Sequence, residues 1–157
     1  MKISGTYTLA APQEKVYALM QDPAVLARTI PGCESLEKTG EDEYRMKMKM
    51  ALASFSGAFE GKVRITDQTP PASFRLVVEG SGKLGFIKGD GLLKLSVVGE
   101  GAEVAYEGDA QVGGTMAAVG QRLIDGTARM MIKRFFDKLA EEAAKAKAPA
   151  PPTASGG

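Results

Sequence analysis

The fold turns on EVAYEGDAQVGGTMAAVGQRLIDGTARMM, residues 103–131, because the hydrophobic period changes inside it. Up to Val112 the pattern alternates. Val104, Tyr106, Ala110 and Val112 fall on one face, and Glu103, Glu107, Asp109 and Gln111 on the other, as a half-buried strand requires. Gly113-Gly114 ends the alternation. From Thr115 to about Ala146 the spacing is helical, with Met116, Val119, Leu123, Thr127 and Met130 along one stripe. Ile124, Met131, Phe135 and Leu139 widen it. At ~1.5 Å per residue such a helix approaches about 45 Å, long enough to lie across a whole sheet.

Upstream of this switch the chain reads as strands. Residues 2–9 put Ile3, Tyr7 and Leu9 on one face and Lys2, Ser4, Thr6 and Thr8 on the other. Ala11-Pro12 starts a helix, with Glu14 in its first turn and Val16, Leu19 and Met20 on its apolar face. Asp22-Pro23 starts a second helix with Asp22 as N-cap, and Ile30-Pro31-Gly32 breaks it. Strands follow near 33–38 and at 43–52, 55–67, 73–80, 91–98 and 103–112. Phe55, Phe59, Val63 and Ile65, then Phe74, Leu76 and Val78, then Leu93, Leu95 and Val97 are the inward residues of the middle strands. Short turns between consecutive strands imply an antiparallel sheet with one buried and one wet face.

The expected architecture is therefore α+β: a curved antiparallel sheet of about seven strands wrapped around a long C-terminal helix. Two short helices after the first strand bring that strand beside the last. Residues 1–143 form the domain, and 144–157, rich in Ala and Pro, read as a disordered tail.

Composition narrows the function. The 157 residues carry 20 basic and 19 acidic side chains, a net charge of +1, which argues against a nucleic-acid partner. There is no histidine and one cysteine, Cys33. A Ser-His-Asp or Cys-His nucleophile is thereby impossible, and a metal site of ordinary ligands is disfavoured. One cysteine fits a reducing compartment. The N-terminus lacks the continuous apolar run of a signal peptide, and no stretch of ~18 apolar residues encodes a spanning helix.

Three constellations bear on chemistry. GSGKLGFIKGDG, residues 80–91, matches no phosphate-loop spacing and reads as a wide, bulged hairpin. Glu103, Glu107 and Asp109 read as a solvated sheet face, and Cys33 as a small buried residue at a strand start. The third is RMKMKMAL, residues 45–52, where Tyr44, Met46, Met48, Met50 and Leu52 share one face opposite Lys47 and Lys49. Three more methionines, Met116, Met130 and Met131, lie on the long helix. Such rows are either ordinary core filling or the walls of an adaptable apolar cavity between sheet and helix, with Tyr7, Tyr44 and Tyr106 as hydroxyl handles. On the cavity reading the lining is Tyr44, Met46, Met48, Met50, Phe59, Leu76, Leu93, Tyr106, Met116, Leu123 and Met130. No catalytic or metal residue is expected.

The order of motifs resembles the START-like, helix-grip superfamily of polyketide cyclases, lipid-transfer domains and plant allergen relatives. Within it the chain is most similar to the G subunit of carbon monoxide dehydrogenase. MKISGTYTLAAPQEKVYALMQDPAVLARTIPGCESLE carries the resemblance, with GAFEGKVRI, GSGKLGFIKGDGLLKL and YEGDAQVGGTMAAVGQRLIDGTARMMIKRFFDKL, over about residues 1–143. It implies a non-catalytic accessory protein of a carbon monoxide dehydrogenase-like molybdenum hydroxylase. The suggested roles are membrane recruitment of the enzyme and carriage of a quinone- or lipid-like ligand, with no built-in cofactor. The expected location is cytoplasmic, with peripheral contact at the inner face of the cell membrane. An assembly subunit without ligand and a cyclase-like enzyme are the alternatives. Burying ~400 Å² of isoprenoid tail at ~25 cal/mol per Å² supplies roughly 10 kcal/mol before binding costs. An uncharged lipid thus needs no charged clamp. A phosphorylated one needs an inward cation, for which Arg122 is the nearest candidate.

Overall fold

The computed structural model describes residues 1–52 and 55–147, and the side chains of all of these except Leu52, Phe55, Ala146 and Lys147. The expected inward placement of Leu52 and Phe55 lies outside the described residues, as does the tail from residue 148 onward. Residues 144–147, expected to belong to the tail, continue the last helix.

Seven strands, β1 (Lys2–Leu9), β2 (Cys33–Gly40), β3 (Glu43–Leu52), β4 (Phe55–Thr69), β5 (Ser73–Gly82), β6 (Gly85–Val98) and β7 (Gly101–Gly113), form one sheet. Its order is β1-β7-β6-β5-β4-β3-β2, antiparallel throughout. Strands two to seven follow one another closely in sequence and pair in sequence order. The two helices α1 (Gln13–Leu19) and α2 (Pro23–Thr29) carry the chain from one edge of the sheet to the other, leaving β1 beside β7 as expected.

Local chemistry sets these boundaries. Pro12 is the N-cap of α1, one residue earlier than the first helical position, and Glu14 sits in the first turn. Asp22 caps α2 by accepting from the Ala24 N–H at 2.9 Å. Pro31 forces Ile30 into extended backbone and so stops α2. Gly32 follows with φ +78°, and a Cβ there would collide with the Lys49 carbonyl, so the turn into β2 requires glycine.

The long helix differs from the sequence expectation in phase. Gly120, at φ +101°, divides it into a 3₁₀ turn (Thr115–Val119) and α3 (Gln121–Lys147). At ~1.5 Å per residue α3 is about 40 Å long. Its buried residues are Ile124, Phe136, Leu139 and Ala143, flanked by half-buried Met131, Ile132 and Phe135. Leu123 and Met130, expected on the inward stripe, are 40% and 44% exposed. The stripe drawn through Met116 and Val119 does not continue past Gly120. Each residue turns a helix by about 100°, so the one-position shift from Leu123 to Ile124 moves the apolar face to the next column.

Two further corrections concern β6. It begins at Gly85, not residue 91, and pairs with β5 without a register shift from Ser73↔Lys94 to Gly82↔Gly85. The glycine-rich stretch is thus a tight hairpin around Lys83-Leu84, not a wide, bulged one. Val97, expected inward, is 66% exposed, because the β5 ladder ends at Lys94 and leaves the end of β6 with β7 alone as neighbour.

The core is one cluster. Tyr44, Met46, Met48, Phe59 and Val63 on β3 and β4 are buried with Val16, Tyr17, Met20 and Val25 of the short helices. The Tyr44 hydroxyl donates to the Gln21 carbonyl at 3.3 Å, and Tyr17 meets Phe74 edge-on at 5.4 Å. This half of the molecule is filled by its own side chains.

Candidate functional site: an apolar cavity beside an aromatic wall

The other half is hollow, and the strand register explains why. Leu76 of β5 is paired with Gly91 of β6, Gly91 with Gly108 of β7, and Gly108 with Ile3 of β1. The next row is Val78, Gly89 and Ala110. The two central strands therefore present glycine or alanine inward, where neighbouring rows present Phe74, Leu93 and Tyr106. Above this floor α3 lays Met131, Ile132, Phe135 and Phe136, and Ile30-Pro31 closes one side. The result is an open-sided apolar cavity of about 350 Å³, within the range of small-ligand pockets. Asp90 and Glu107 border it through backbone; their side chains are exposed on the outer face, where Asp90 Oδ2 accepts from Arg75 at 3.0 Å.

One wall is aromatic. Phe136 is stacked between Tyr7 (5.2 Å, 16°) and Tyr106 (5.5 Å, 22°), and Phe135 meets it edge-on at 5.1 Å. Gly5 lies under Tyr106; a Cβ there would sit 2.5 Å from the phenol oxygen. The Tyr7 hydroxyl donates to Asp137 Oδ1 at 2.6 Å, and Lys133 donates to Oδ2 at 2.9 Å. The hydrogen bond to Asp137 pushes the Tyr7 phenol up to about 12. The hydrogen bonds from Tyr7 and Lys133 hold the Asp137 carboxyl below the usual carboxylate range.

Of the residues expected to line a cavity, Leu76, Leu93 and Tyr106 do so. Tyr44, Met46, Met48 and Phe59 are buried in the packed half, and Met50 is half-buried against it. Met116 is buried on the 3₁₀ turn, its N–H donating to the Leu84 carbonyl at 2.6 Å. Leu123 and Met130 face solvent. Of the three expected hydroxyl handles, Tyr7 and Tyr44 are engaged as described, whereas Tyr106 makes no hydrogen bond through its hydroxyl among the described residues. Sequence reasoning missed Gly89, Gly91 and Gly108. The signal is present as glycines at alternate positions of one strand, a pattern that strand bending explains equally well.

The other constellations show no poised group. Glu107 and Asp109 are exposed, and Asp109 Oδ1 meets the N-terminal ammonium at 3.4 Å. Cys33 is half-buried with Sγ 3.5 Å from the Ser35 carbonyl, and burial pushes its thiol up, away from the reactive thiolate. No helix among the described residues is long and apolar enough to cross a membrane.

Comparison with known proteins places this geometry. No curated protein matches the chain. A conserved protein from Geobacillus kaustophilus is 35% identical, with a TM-score of 0.89 over 93% of this chain and 97% of that one. TTHA0849 from Thermus thermophilus is 16% identical, with a TM-score of 0.71 over 94% and 100%. The Zhui aromatase/cyclase from Streptomyces sp. R1128 is 11% identical, with a TM-score of 0.66 over 96% and 98%. The last two show the shared helix-grip fold alone. A family model of the carbon monoxide dehydrogenase G subunit (CoxG) matches residues 5–144, and the chain belongs to that family.

Proposed function

We propose that the protein is a non-catalytic accessory partner of a carbon monoxide dehydrogenase-like molybdenum hydroxylase, and that it carries an apolar, quinone- or lipid-like molecule between sheet and α3. The observation that carries this reading is the cavity of about 350 Å³ over Gly89, Gly91 and Gly108. A fold that needed only a core would fill that floor with large side chains, as it does with Tyr44, Met46, Met48 and Phe59 under α1 and α2. Walls that are apolar throughout suit a ligand that is mostly hydrocarbon. The family supplies the partner, and a peripheral site at the inner face of the membrane is where such cargo would be collected.

The lack of histidine, the commonest general base, supports a carrier over a cyclase-like enzyme. The Tyr–Asp pair makes the phenol a weaker acid. Native mass spectrometry of the purified protein, followed by organic extraction, tests the proposal. A co-purifying prenyl quinone or other long apolar molecule is expected. A protein that emerges empty and also rejects added prenyl quinone in titration is a docking component instead.

A further inference from the structure

The outer face of α3 carries a pattern that its packing does not use. Leu123 and Met130 fall within about 20° of one line along the helix. Both are large apolar side chains left in water, 40% and 44% exposed. Cations flank that line on both sides. Arg122, Arg129 and Lys133 lie roughly 70–110° to one side, and Arg134 and Lys138 roughly 30–70° to the other. All of these cations are exposed, and Arg122, Arg129, Arg134 and Lys138 have no ion-pair partner among the described residues. Arg122 therefore belongs to this outer face and is not the inward cation expected from the sequence.

The acids of the helix do not cancel these charges. Asp137 is on the same side, but its carboxylate is shared between Tyr7 and Lys133. Asp125 is turned about 160° from Leu123, on the side that faces β1, where it accepts from the Gln121 amide at 2.8 Å. Glu141 lies beyond Lys138, about 16 Å along the axis from Met130.

Two apolar side chains are too few for the core of a protein–protein interface, which takes about 800 Å² from each partner. A lipid surface asks less. Lys and Arg keep their charge at head-group level on long stems, while apolar residues between them enter the acyl boundary. Anionic lipid adds attraction from every cation near it. The same helix turns Met131 and Phe135, the neighbours of Met130 and Arg134, inward to roof the cavity.

We infer that residues 122–138 of α3 form a docking face for an anionic lipid surface, with Leu123 and Met130 entering the bilayer interface between two rows of cations. Docking in this way sets the roof of the cavity at the membrane that supplies its cargo. That consequence rests on the carrier reading, whereas the docking itself does not.

The test is co-sedimentation of the full chain with vesicles of phosphatidylcholine alone and of phosphatidylcholine with phosphatidylglycerol in equal parts. The mixed vesicles are expected to bind roughly tenfold or more tightly, by a margin that shrinks as salt is raised. Arg129→Gln combined with Arg134→Gln should weaken binding to them roughly tenfold or more, at about fivefold per cation. Leu123→Ser combined with Met130→Ser should weaken it as well. All four positions are exposed, and thermal melting is the folding control. Equal binding to the two kinds of vesicle, or full binding by either double variant, overturns the docking face. If polyglutamate binds the unaltered chain as tightly as the mixed vesicles do, and loses as much in the Leu123→Ser, Met130→Ser variant, the face takes an acidic protein and the lipid is rejected. Titration with prenyl quinone in the absence of vesicles separates the two readings. Quinone uptake by a chain that ignores both vesicles overturns the docking face and leaves the carrier. A chain that docks but takes up no quinone does the reverse.

Discussion

The Tyr7 hydroxyl donates to Asp137 across 2.6 Å, tying the first strand to the last helix over 130 positions of sequence. Its effect on stability has a sign at each end of the pH scale. Asp137 titrates below its ordinary value, and so does Glu142, which Arg28 of α2 grips at 2.8 and 3.2 Å. Their contributions are complete above the ordinary carboxylate range near ~4 and are lost as pH falls through the lowered folded values. Tyr7 is shifted the other way. Its contribution is complete below ~10 and is lost as pH rises from there to about 12. Tyr7→Phe should lower Tm by a few degrees near neutrality and flatten the alkaline limb of a plot of Tm against pH. An unchanged alkaline limb would show that the bond contributes nothing.

Filling the floor should empty the cavity. In Gly91→Leu the new Cβ would lie 3.3 Å from the Glu107 carbonyl, a mild strain, and the rest of the side chain would enter the cavity. Affinity for an apolar ligand should fall roughly tenfold or more. Thermal melting serves as the folding control. Retained affinity in a folded Gly91→Leu protein would move the binding site elsewhere.

Phe136 is the centre of the aromatic wall. It is 3% exposed and stacked on two tyrosines. Phe136→Ala should cost about 3–5 kcal/mol, read from the shift of the urea midpoint. A loss below ~1 kcal/mol would show that the wall collapses freely around the gap.

The methionine row makes the opposite prediction. Met48 is buried in the packed half and does not border the cavity. Met48→Leu should cost less than ~1.5 kcal/mol and leave the ligand dissociation constant within about twofold. A larger change in affinity would mean that the packed half opens when ligand enters.

Element order was legible because it is written in local signals. The shift from period two to 3.6 at Gly113-Gly114, the Asp22-Pro23 cap and the Ile30-Pro31-Gly32 break act through neighbours a few residues away. From that order, pairing of consecutive strands and the return of β1 to β7 followed. The methionine row is legible as an apolar face, since Lys47 and Lys49 fix the wet side by alternation.

The cavity was decided elsewhere. It exists because Gly91 in β6 meets Gly108 in β7 while Leu76 and Ile3 stand on either side, an alignment of residues from four strands that no window of sequence contains. Its roof depends on the phase of α3: Met131 and Phe135, on the apolar face read from the sequence, meet the sheet, whereas Leu123 and Met130, read on the same face, meet water. Sequence alone determined the order of strands and helices, because backbone preference and periodicity are local. Tertiary structure decided which face is packed and which is hollow, because a void is made by side chains missing from the same layer of distant strands.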